Sequence, residues 1–199
     1  IDVIMGYGSL LPGKKIHVKA EDGSEQELSA QNIIIATGAR SRELPSMPQD
    51  SEKVIGYRKA MTLEKQPKKL IVVGSGAIGV EFAYFYNAMG TEVTLIEYLP
   101  RIVPVEDEEI SKQMERSFKK SGIKVMTSAE VTSVDTSGKG VKATVKTKKG
   151  EEVVEADVVL SAVGIKTNIE NIGLETVGIA TDRDKILVND FYQTNIPGY

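Results

Sequence analysis

The chain has 199 residues, 41% of them hydrophobic, which is enough for one large domain or two small domains with a buried core. The net charge is −3 and the short lysine runs stand beside acids, which argues against a nucleic-acid-binding surface. There is no cysteine, so disulfides, cysteine metal sites and thiol chemistry are excluded within these residues.

No segment has the pattern of a membrane span or of a signal peptide, and we therefore predict a cytoplasmic protein with no membrane partner. The chain opens on Ile1 rather than on methionine, which we interpret as a trimmed start. The single histidine, His17, lies in a strand-like segment. No metal cluster and no nucleophile–base pair can be assembled around it, so we assign it no catalytic role.

The first predicted element is a hairpin. Residues 18–25 carry a turn at Gly23, and the apolar run of residues 32–38 after it is typical of a buried parallel strand. Gly38 ends that run, where a backbone can approach a neighbour closely.

A nucleotide-binding pattern begins at residue 70. Leu70–Val73 predicts a short buried strand, Val80–Met89 a helix that ends at Gly90, and Glu92–Ile96 a second strand. The loop between the first strand and the helix has a GxGxxG motif, made of Gly74, Ser75, Gly76, Ala77, Ile78 and Gly79.

Each glycine of this loop has its own physical role in binding a dinucleotide. Gly74 permits the tight turn, Gly76 lets the backbone approach a pyrophosphate, and Gly79 lets the helix pack closely on the strand. Unpaired N–H groups at the start of the helix then face the phosphates. A purely structural turn is the alternative, and the strand, helix and following acid argue against it.

An acid follows the second strand, as this motif requires. Glu97 lies 18 residues after Gly79, and its carboxylate can accept a hydrogen bond from a ribose 2′-hydroxyl and would repel a 2′-phosphate. The sequence therefore predicts NAD rather than NADP. Arg101 is the opposing signal, although the prolines around it indicate a linker. Glu81, early in the helix, suits the helix dipole and also stands near the predicted cofactor.

Two further elements complete this pattern. Asp107–Ser121 predicts an amphipathic helix with Ile110, Met114 and Phe118 on one face, and Ile123–Met126 predicts a third strand. Tyrosines on the first helix, Tyr84 and Tyr86, are predicted to be packing residues.

Residues 145–164 repeat the order found in residues 18–38, namely hairpin turn, acid, alanine, apolar strand and final glycine, here Gly164. We interpret the two stretches as an internal duplication rather than as a coincidence. The second copy is preceded by the glycine loop, whereas an equivalent loop for the first copy would fall before residue 1. The sequence therefore predicts a fragment of a longer protein.

These residues resemble a known family. The glycine loop with Glu81, the acid Glu97 and the run of residues 97–110 are similar to the flavoprotein disulfide reductases, or pyridine nucleotide-disulfide oxidoreductases, and among them to the dihydrolipoamide dehydrogenase type. Residues 35–39 resemble the strand-end motif of that family's FAD domain, and residues 161–175 resemble the matching motif of its NAD domain. The resemblance covers essentially the whole chain and implies two cofactors, NAD and FAD.

The resemblance implies two sets of cofactor-binding residues. The set expected to line the NAD site is Gly74, Ser75, Gly76, Ala77, Ile78, Gly79, Val80, Glu81, Glu97, Val131 and Gly164, with Glu81 beside the nicotinamide. The set expected to contact FAD is Gly6, Thr37, Gly38 and Ala39. Tyr57 departs from the small hydroxyl residue of the family pattern.

The expected fold is α/β. We predict a Rossmann-like NAD-binding domain at 67–189, with a parallel sheet, helices and a β-meander, a partial FAD-binding segment at 1–66, and a return strand at 190–199. The family's cysteine pair, its first FAD glycine loop and its C-terminal His–Glu pair are absent from these residues. The fragment alone is therefore expected to be inactive.

The resemblance implies a full-length oxidoreductase that passes electrons from dihydrolipoamide through a cysteine pair and FAD to NAD. It also implies a homodimer and membership of a 2-oxo acid dehydrogenase complex. Two alternatives stay open, namely another family member such as a mercuric or glutathione-type reductase, and a stand-alone nucleotide-binding module.

Overall fold

The computed structural model describes all residues from 1 to 199 and contains two compact units. Unit 1 comprises Ile1–Arg40 and Lys166–Tyr199, and unit 2 comprises Ser41–Ile165. None of the helices has the length and apolarity that a membrane crossing needs.

Strands and helices are numbered here in chain order. The helices are α1 (Tyr57–Ala60), α2 (Ala77–Ala88), α3 (Glu108–Lys120) and α4 (Leu174–Val177). The strands are β1 (Tyr7–Leu11), β2 (Lys15–Lys19), β3 (Glu25–Ser29), β4 (Ala39–Ser41), β5 (Val54–Ile55), β6 (Lys69–Val73), β7 (Glu92–Ile96), β8 (Lys124–Met126), β9 (Glu130–Asp135), β10 (Val141–Thr147), β11 (Gly150–Ala156), β12 (Val158–Ser161), β13 (Ile165–Thr167), β14 (Thr181–Asp182) and β15 (Lys185–Ile186).

Unit 2 is built on a five-stranded parallel sheet with the order β5-β12-β6-β7-β8. Strand β6 is central and buries both faces, because Leu70 and Val72 pack with α2 and α3 while Ile71 and Val73 pack with the antiparallel meander β9-β10-β11. A continuous apolar strand is what a sheet covered on both sides requires. The predicted α/β fold with a parallel sheet and a meander is confirmed.

The helix after the glycine loop begins earlier than predicted, at Ala77 rather than Val80. Gly76 is the extended N-cap residue, and its carbonyl accepts the first helical hydrogen bond from the N–H of Val80 at 3.1 Å. The last part of the motif is therefore the first turn of α2. Strand β7 has the predicted bounds.

The other predicted helix, α3, begins after Asp107, whose carboxylate caps the N-terminus by accepting from the N–H of Glu109 at 2.8 Å. Its buried residues are Ser111 and Phe118, whereas Ile110 is 54% exposed, so the predicted apolar face is wrong at that position. Residues four apart drift around a helix of 3.6 residues per turn, which carries Ile110 off the buried stripe.

Unit 1 contains the three-stranded antiparallel sheet β1-β2-β3 and a small core that includes Leu10, Ile33, Ile172 and Leu174. The predicted hairpin around Gly23 is present as β2 and β3. The apolar run after it is not a strand, and Ile34 is 92% exposed. A parallel strand exists only through hydrogen bonds to neighbours, and no strand of this chain pairs with residues 33–38.

The compact units divide the chain at 40/41 and 165/166 rather than at the predicted domain boundaries of 66 and 189. Residues 41–66 belong to unit 2 because β5 extends the parallel sheet by pairing with β12. Residues 166–189 belong to unit 1 because Ile172 and Leu174 pack with Leu10. Residues 190–199 form turns and no strand.

Candidate functional site

A cavity of about 1040 Å³ opens in unit 2 at the carboxyl ends of the parallel strands. Its wall includes Val73 at the end of β6, residues 74–78 of the glycine loop, Glu97 after β7, and Val131 and Gly164 from later in the chain. Ligands of open α/β sheets bind outside the carboxyl ends of the strands. The chain thus brings together, at that edge, most of the residues predicted for the NAD site.

Backbone packing requires glycine at two of the three glycine positions of the loop, but not at the third. A Cβ at Gly79 would lie 1.9 Å from the carbonyl oxygen of Gly74, and a Cβ at Gly74 would lie 2.5 Å from the carbonyl oxygen of Ala162. Both glycines are therefore required by close backbone packing, and Gly74 also has a φ of +96°. A Cβ at Gly76 would meet no atom within 4 Å, so the folded chain itself does not require glycine there.

The N-terminus of helix α2 lies at this wall, and its first backbone N–H groups can donate to a ligand. No side chain caps its N-terminus, and its first turn carries no acid. The first N–H groups of a helix lack intrahelical partners, and together with the helix dipole they favour an anion. The start of α2 is therefore suited to a phosphate or pyrophosphate group at the cavity.

Glu97 is 7% exposed and its carboxylate is held by three donors. Its Oε2 accepts from the backbone N–H of Ser75 at 2.8 Å and from the hydroxyl of Ser75 at 2.6 Å, while its Oε1 accepts from the N–H of Leu99 at 2.8 Å. The carboxylate thus ties the end of β7 to the glycine loop. These contacts fix its orientation at the cavity wall.

Arg101, the residue that argued for a 2′-phosphate, is directed elsewhere. Its guanidinium donates to the carbonyl oxygen of Pro104 at 3.1 Å and lies 3.9 Å from the carboxylate of Glu108. Arg101 is not part of the cavity wall. The wall therefore carries the carboxylate of Glu97 without this neighbouring cation.

The wall also includes residues 44–46, which the sequence alone does not predict for this site because they fall in the predicted 1–66 segment. The Ser46 hydroxyl donates to the carbonyl oxygen of Val131 at 3.3 Å, which joins this segment to β9. Gly164 is held on the same side because its carbonyl oxygen accepts from the N–H of Arg42 at 3.0 Å. No motif in residues 41–46 signalled this role, because it depends on contacts more than 80 residues away along the chain.

Three residues of the predicted NAD set are not part of this wall, namely Gly79, Val80 and Glu81. Gly79 lies in the first turn of α2, packed against the carbonyl oxygen of Gly74. Val80 is buried in the core against the sheet. Glu81 is exposed and borders a separate cavity of about 310 Å³, which Phe82 and Phe85 also line.

Tyr86 is a packing residue, as predicted, and its hydroxyl donates to the carbonyl oxygen of Ala60. Tyr84 is exposed, so the prediction that it packs in the core is wrong.

The residues predicted to contact FAD lie in unit 1. Thr37 borders a cavity of about 420 Å³ whose wall also includes Arg40 and Glu170. Gly38 has a φ of +71° with open space where a Cβ would lie. Gly6 has a packing explanation instead, because a Cβ there would lie 2.7 Å from the carbonyl oxygen of Lys19.

Charged groups beside this cavity form a bidentate pair, in which the guanidinium of Arg40 donates to the two carboxylate oxygens of Glu170 at 2.7 and 3.1 Å. Arg40, with a smaller contribution from Lys166, holds the pKa of Glu170 well below the usual glutamate range.

His17 contacts Glu25 on the antiparallel sheet. No cluster of three His, Cys, Asp or Glu residues is placed to hold a metal ion.

A family model described as pyridine nucleotide-disulphide oxidoreductase matches residues 1–198. The chain is 40% identical over 197 residues to a dihydrolipoyl dehydrogenase of Zymomonas mobilis, which covers 98% of this chain and 42% of the relative. It is 45% identical over 175 residues to a dihydrolipoyl dehydrogenase of Rhizobium etli, which covers 87% of this chain and 36% of the relative. The chain therefore spans about two fifths of the length of these relatives.

Among solved structures, LpdA from Mycobacterium tuberculosis is similar over 91% of this chain and 40% of that chain. The TM-score is 0.81 and the sequence identity is 35%. The similarity therefore extends through both units.

Proposed function

The chain belongs to the pyridine nucleotide-disulphide oxidoreductase family, and we propose that unit 2 is the NAD-binding portion of a dihydrolipoyl dehydrogenase. The observation that carries this proposal is the cavity where Gly76, the start of α2 and the carboxylate of Glu97 meet. The two dihydrolipoyl dehydrogenases matched above support the choice of enzyme within the family.

The residues at the cavity fit a dinucleotide. The open position at Gly76 leaves room for a pyrophosphate to approach the backbone, and the uncapped N-terminus of α2 supplies N–H donors for it. Glu97 supplies an acceptor for a ribose hydroxyl. NAD itself supplies the hydride chemistry, while Gly76, α2 and Glu97 would bind and orient it.

The site favours NAD over NADP because its charge is negative where a 2′-phosphate would lie. Glu97 would repel a phosphate, and Arg101 is engaged by Pro104 and Glu108 instead of facing the cavity. On the family resemblance, we also propose that Glu81 lies beside the nicotinamide. Its exposure on α2 leaves its carboxylate accessible for that role.

We propose further that unit 1 contributes Gly6, Thr37, Gly38 and Ala39 to an FAD site. The open backbone at Gly38 and the cavity beside Thr37 fit the close approach of a large cofactor. FAD would supply the electron transfer between a dithiol and NAD. Gly6 is the weakest member of this set, since packing against Lys19 already accounts for its lack of a side chain.

The whole enzyme would oxidise dihydrolipoamide through a cysteine pair. The present residues contain no cysteine, so this thiol–disulfide exchange would be performed by residues outside them. A homodimer within a 2-oxo acid dehydrogenase complex is the assembly that the family resemblance implies. The chain alone would bind NAD without oxidising dihydrolipoamide.

Titration of the purified chain with NADH and, separately, with NADPH tests the proposal. We expect saturable NADH binding, followed by cofactor fluorescence, with NADPH binding at least about tenfold weaker. Glu97→Ala should abolish the preference, whereas Glu109→Ala, which removes an exposed acid of α3, should keep it. A folded chain that binds neither nucleotide, or that binds NADPH equally well, would contradict the proposed site.

A further inference from the structure

The serine of the glycine loop directs two donors to one oxygen. Ser75 is fully buried, and both its backbone N–H and its hydroxyl donate to Oε2 of Glu97, at 2.8 and 2.6 Å. An O–H···O distance of 2.6 Å is in the range of charge-assisted hydrogen bonds to a carboxylate. The loop thus holds the acid with a side chain as well as with its backbone.

Counting acceptor positions shows what this leaves for a ligand. Each carboxylate oxygen can accept about two hydrogen bonds. Ser75 fills both positions on Oε2, and the N–H of Leu99 fills one on Oε1. A single position on Oε1 therefore remains for a hydroxyl donor in the cavity.

Ser75 is itself fixed from the other side. Its carbonyl oxygen accepts from the N–H of Val103 at 2.9 Å, which joins the loop to the segment after Glu97. This backbone hydrogen bond keeps Ser75 in place, so Ser75 cannot move with the Glu97 carboxylate if that carboxylate rotates. As a result, rotation of Glu97 away from its observed position would break both hydrogen bonds from Ser75.

We propose that Ser75 is a positioning residue that sets nucleotide specificity through Glu97, an inference that rests on the proposed NAD site. The Ser75 hydroxyl keeps the carboxylate aimed at one ribose hydroxyl and prevents it from rotating away from a 2′-phosphate. Discrimination against NADP then depends on two residues of this chain, the acid and the serine that holds it.

Nucleotide titrations of Ser75→Ala test this inference. We expect the Kd for NADH to rise about tenfold, since a charge-assisted hydrogen bond that orients the acceptor is lost. The Kd for NADPH should stay constant or fall, because the carboxylate can then turn from the phosphate. The ratio of the two Kd values should therefore narrow by at least about tenfold.

Two comparisons separate positioning from a general effect on folding. Thr91→Ala removes another buried hydroxyl of unit 2, one that donates to the carbonyl oxygen of Pro67 at 2.8 Å and lies outside the cavity wall, and it should leave the Kd ratio unchanged. Adding Ser75→Ala to Glu97→Gln should change the ratio no further than Glu97→Gln does alone. If Ser75→Ala unfolds, Ser75→Cys keeps a side chain of similar shape with a weak thiol donor and should narrow the ratio in the same direction.

The outcomes distinguish this inference from the proposed function. A wild-type chain that prefers NADH while Ser75→Ala keeps the same ratio would overturn the role of Ser75 alone. Equal weakening of NADH and NADPH binding would also overturn it, because that result indicates a loop distortion. A folded wild-type chain that binds neither nucleotide would overturn the proposed NAD site and this inference together.

Discussion

Replacing two glycines of the glycine loop by alanine, one at a time, separates the proposed ligand binding from packing. At Gly76 an added Cβ would meet no atom within 4 Å, and its φ of −67° is one that alanine adopts readily. We therefore expect Gly76→Ala to change the free energy of unfolding by less than about 1 kcal/mol. Because Gly76 lines the cavity, the methyl group should raise the Kd for NADH at least about tenfold.

Gly79→Ala should instead lower the free energy of unfolding. A Cβ there would lie 1.9 Å from the carbonyl oxygen of Gly74, so a backbone atom must move by more than about 1 Å. Overpacking of this kind costs up to about 3 kcal/mol, and alanine in a helix recovers about 1 kcal/mol over glycine. The net loss of about 2 kcal/mol corresponds to a decrease in Tm of about 4–8 °C for a chain of this size.

Urea unfolding followed by circular dichroism and NADH titration by fluorescence measure the two effects on the same samples. Gly138→Ala is the matched control, since a Cβ there also meets open space but lies outside the cavity at the glycine loop, and neither stability nor binding should change. If Gly76→Ala bound NADH as wild type does, the nucleotide would not approach this loop. If Gly79→Ala were as stable as wild type, the reasoning on close helix–strand packing would fail.

Three further predictions concern stability. Ser161 has a buried hydroxyl with no hydrogen-bond partner in the chain, so Ser161→Ala should raise the free energy of unfolding by about 1 kcal/mol in urea. The Tyr86 hydroxyl donates to the carbonyl oxygen of Ala60 at 2.6 Å, so Tyr86→Phe should lower that free energy by about 1 kcal/mol. Arg40 holds the pKa of Glu170 below its ordinary value of 4.5, so the pair stabilises the fold above pH 4.5 and this contribution is lost as the pH falls toward the lowered pKa. Glu170→Gln should therefore lose less Tm than wild type when the pH is lowered below 4.5.

Each of these predictions has a control of the same chemistry. Ser111→Ala should destabilise, because its hydroxyl has partners, and stabilisation by both serine changes would point to helix or strand propensity instead. Tyr84→Phe, at an exposed position of α2, should change nothing, and a loss equal to that of Tyr86→Phe would contradict the hydrogen-bond argument. Arg40→Gln removes the cation of the pair and should change the acid profile in the same direction as Glu170→Gln, whereas a wild-type profile for Glu170→Gln would show that the Arg40 pair is not formed in solution.

The sequence by itself determined the order of strand, glycine loop, helix, strand and acid that builds the candidate site. These elements are decided by local patterns, namely apolar runs of four or five residues and glycines at the turns. Strand β7 has the predicted bounds and Glu97 lies at its end, at the cavity. The sequence pattern predicts that α2 starts at Val80, because it assigns Gly79 to the loop, whereas in the structure Gly79 lies in the first turn of the helix.

Only the tertiary structure decided which side chains serve the site and which strands exist. The carboxylate of Glu97 accepts a hydrogen bond from the hydroxyl of Ser75, which lies 22 residues away along the chain. Residues 44–46 line the cavity wall, and Ser46 donates to the carbonyl oxygen of Val131, 85 residues away. Residues 32–38 have the composition of a buried strand, yet they form none, since no strand of the chain pairs with residues 33–38. Composition predicts what a segment can bury, whereas its hydrogen-bond partners come from distant parts of the chain and are settled only when those parts pack together.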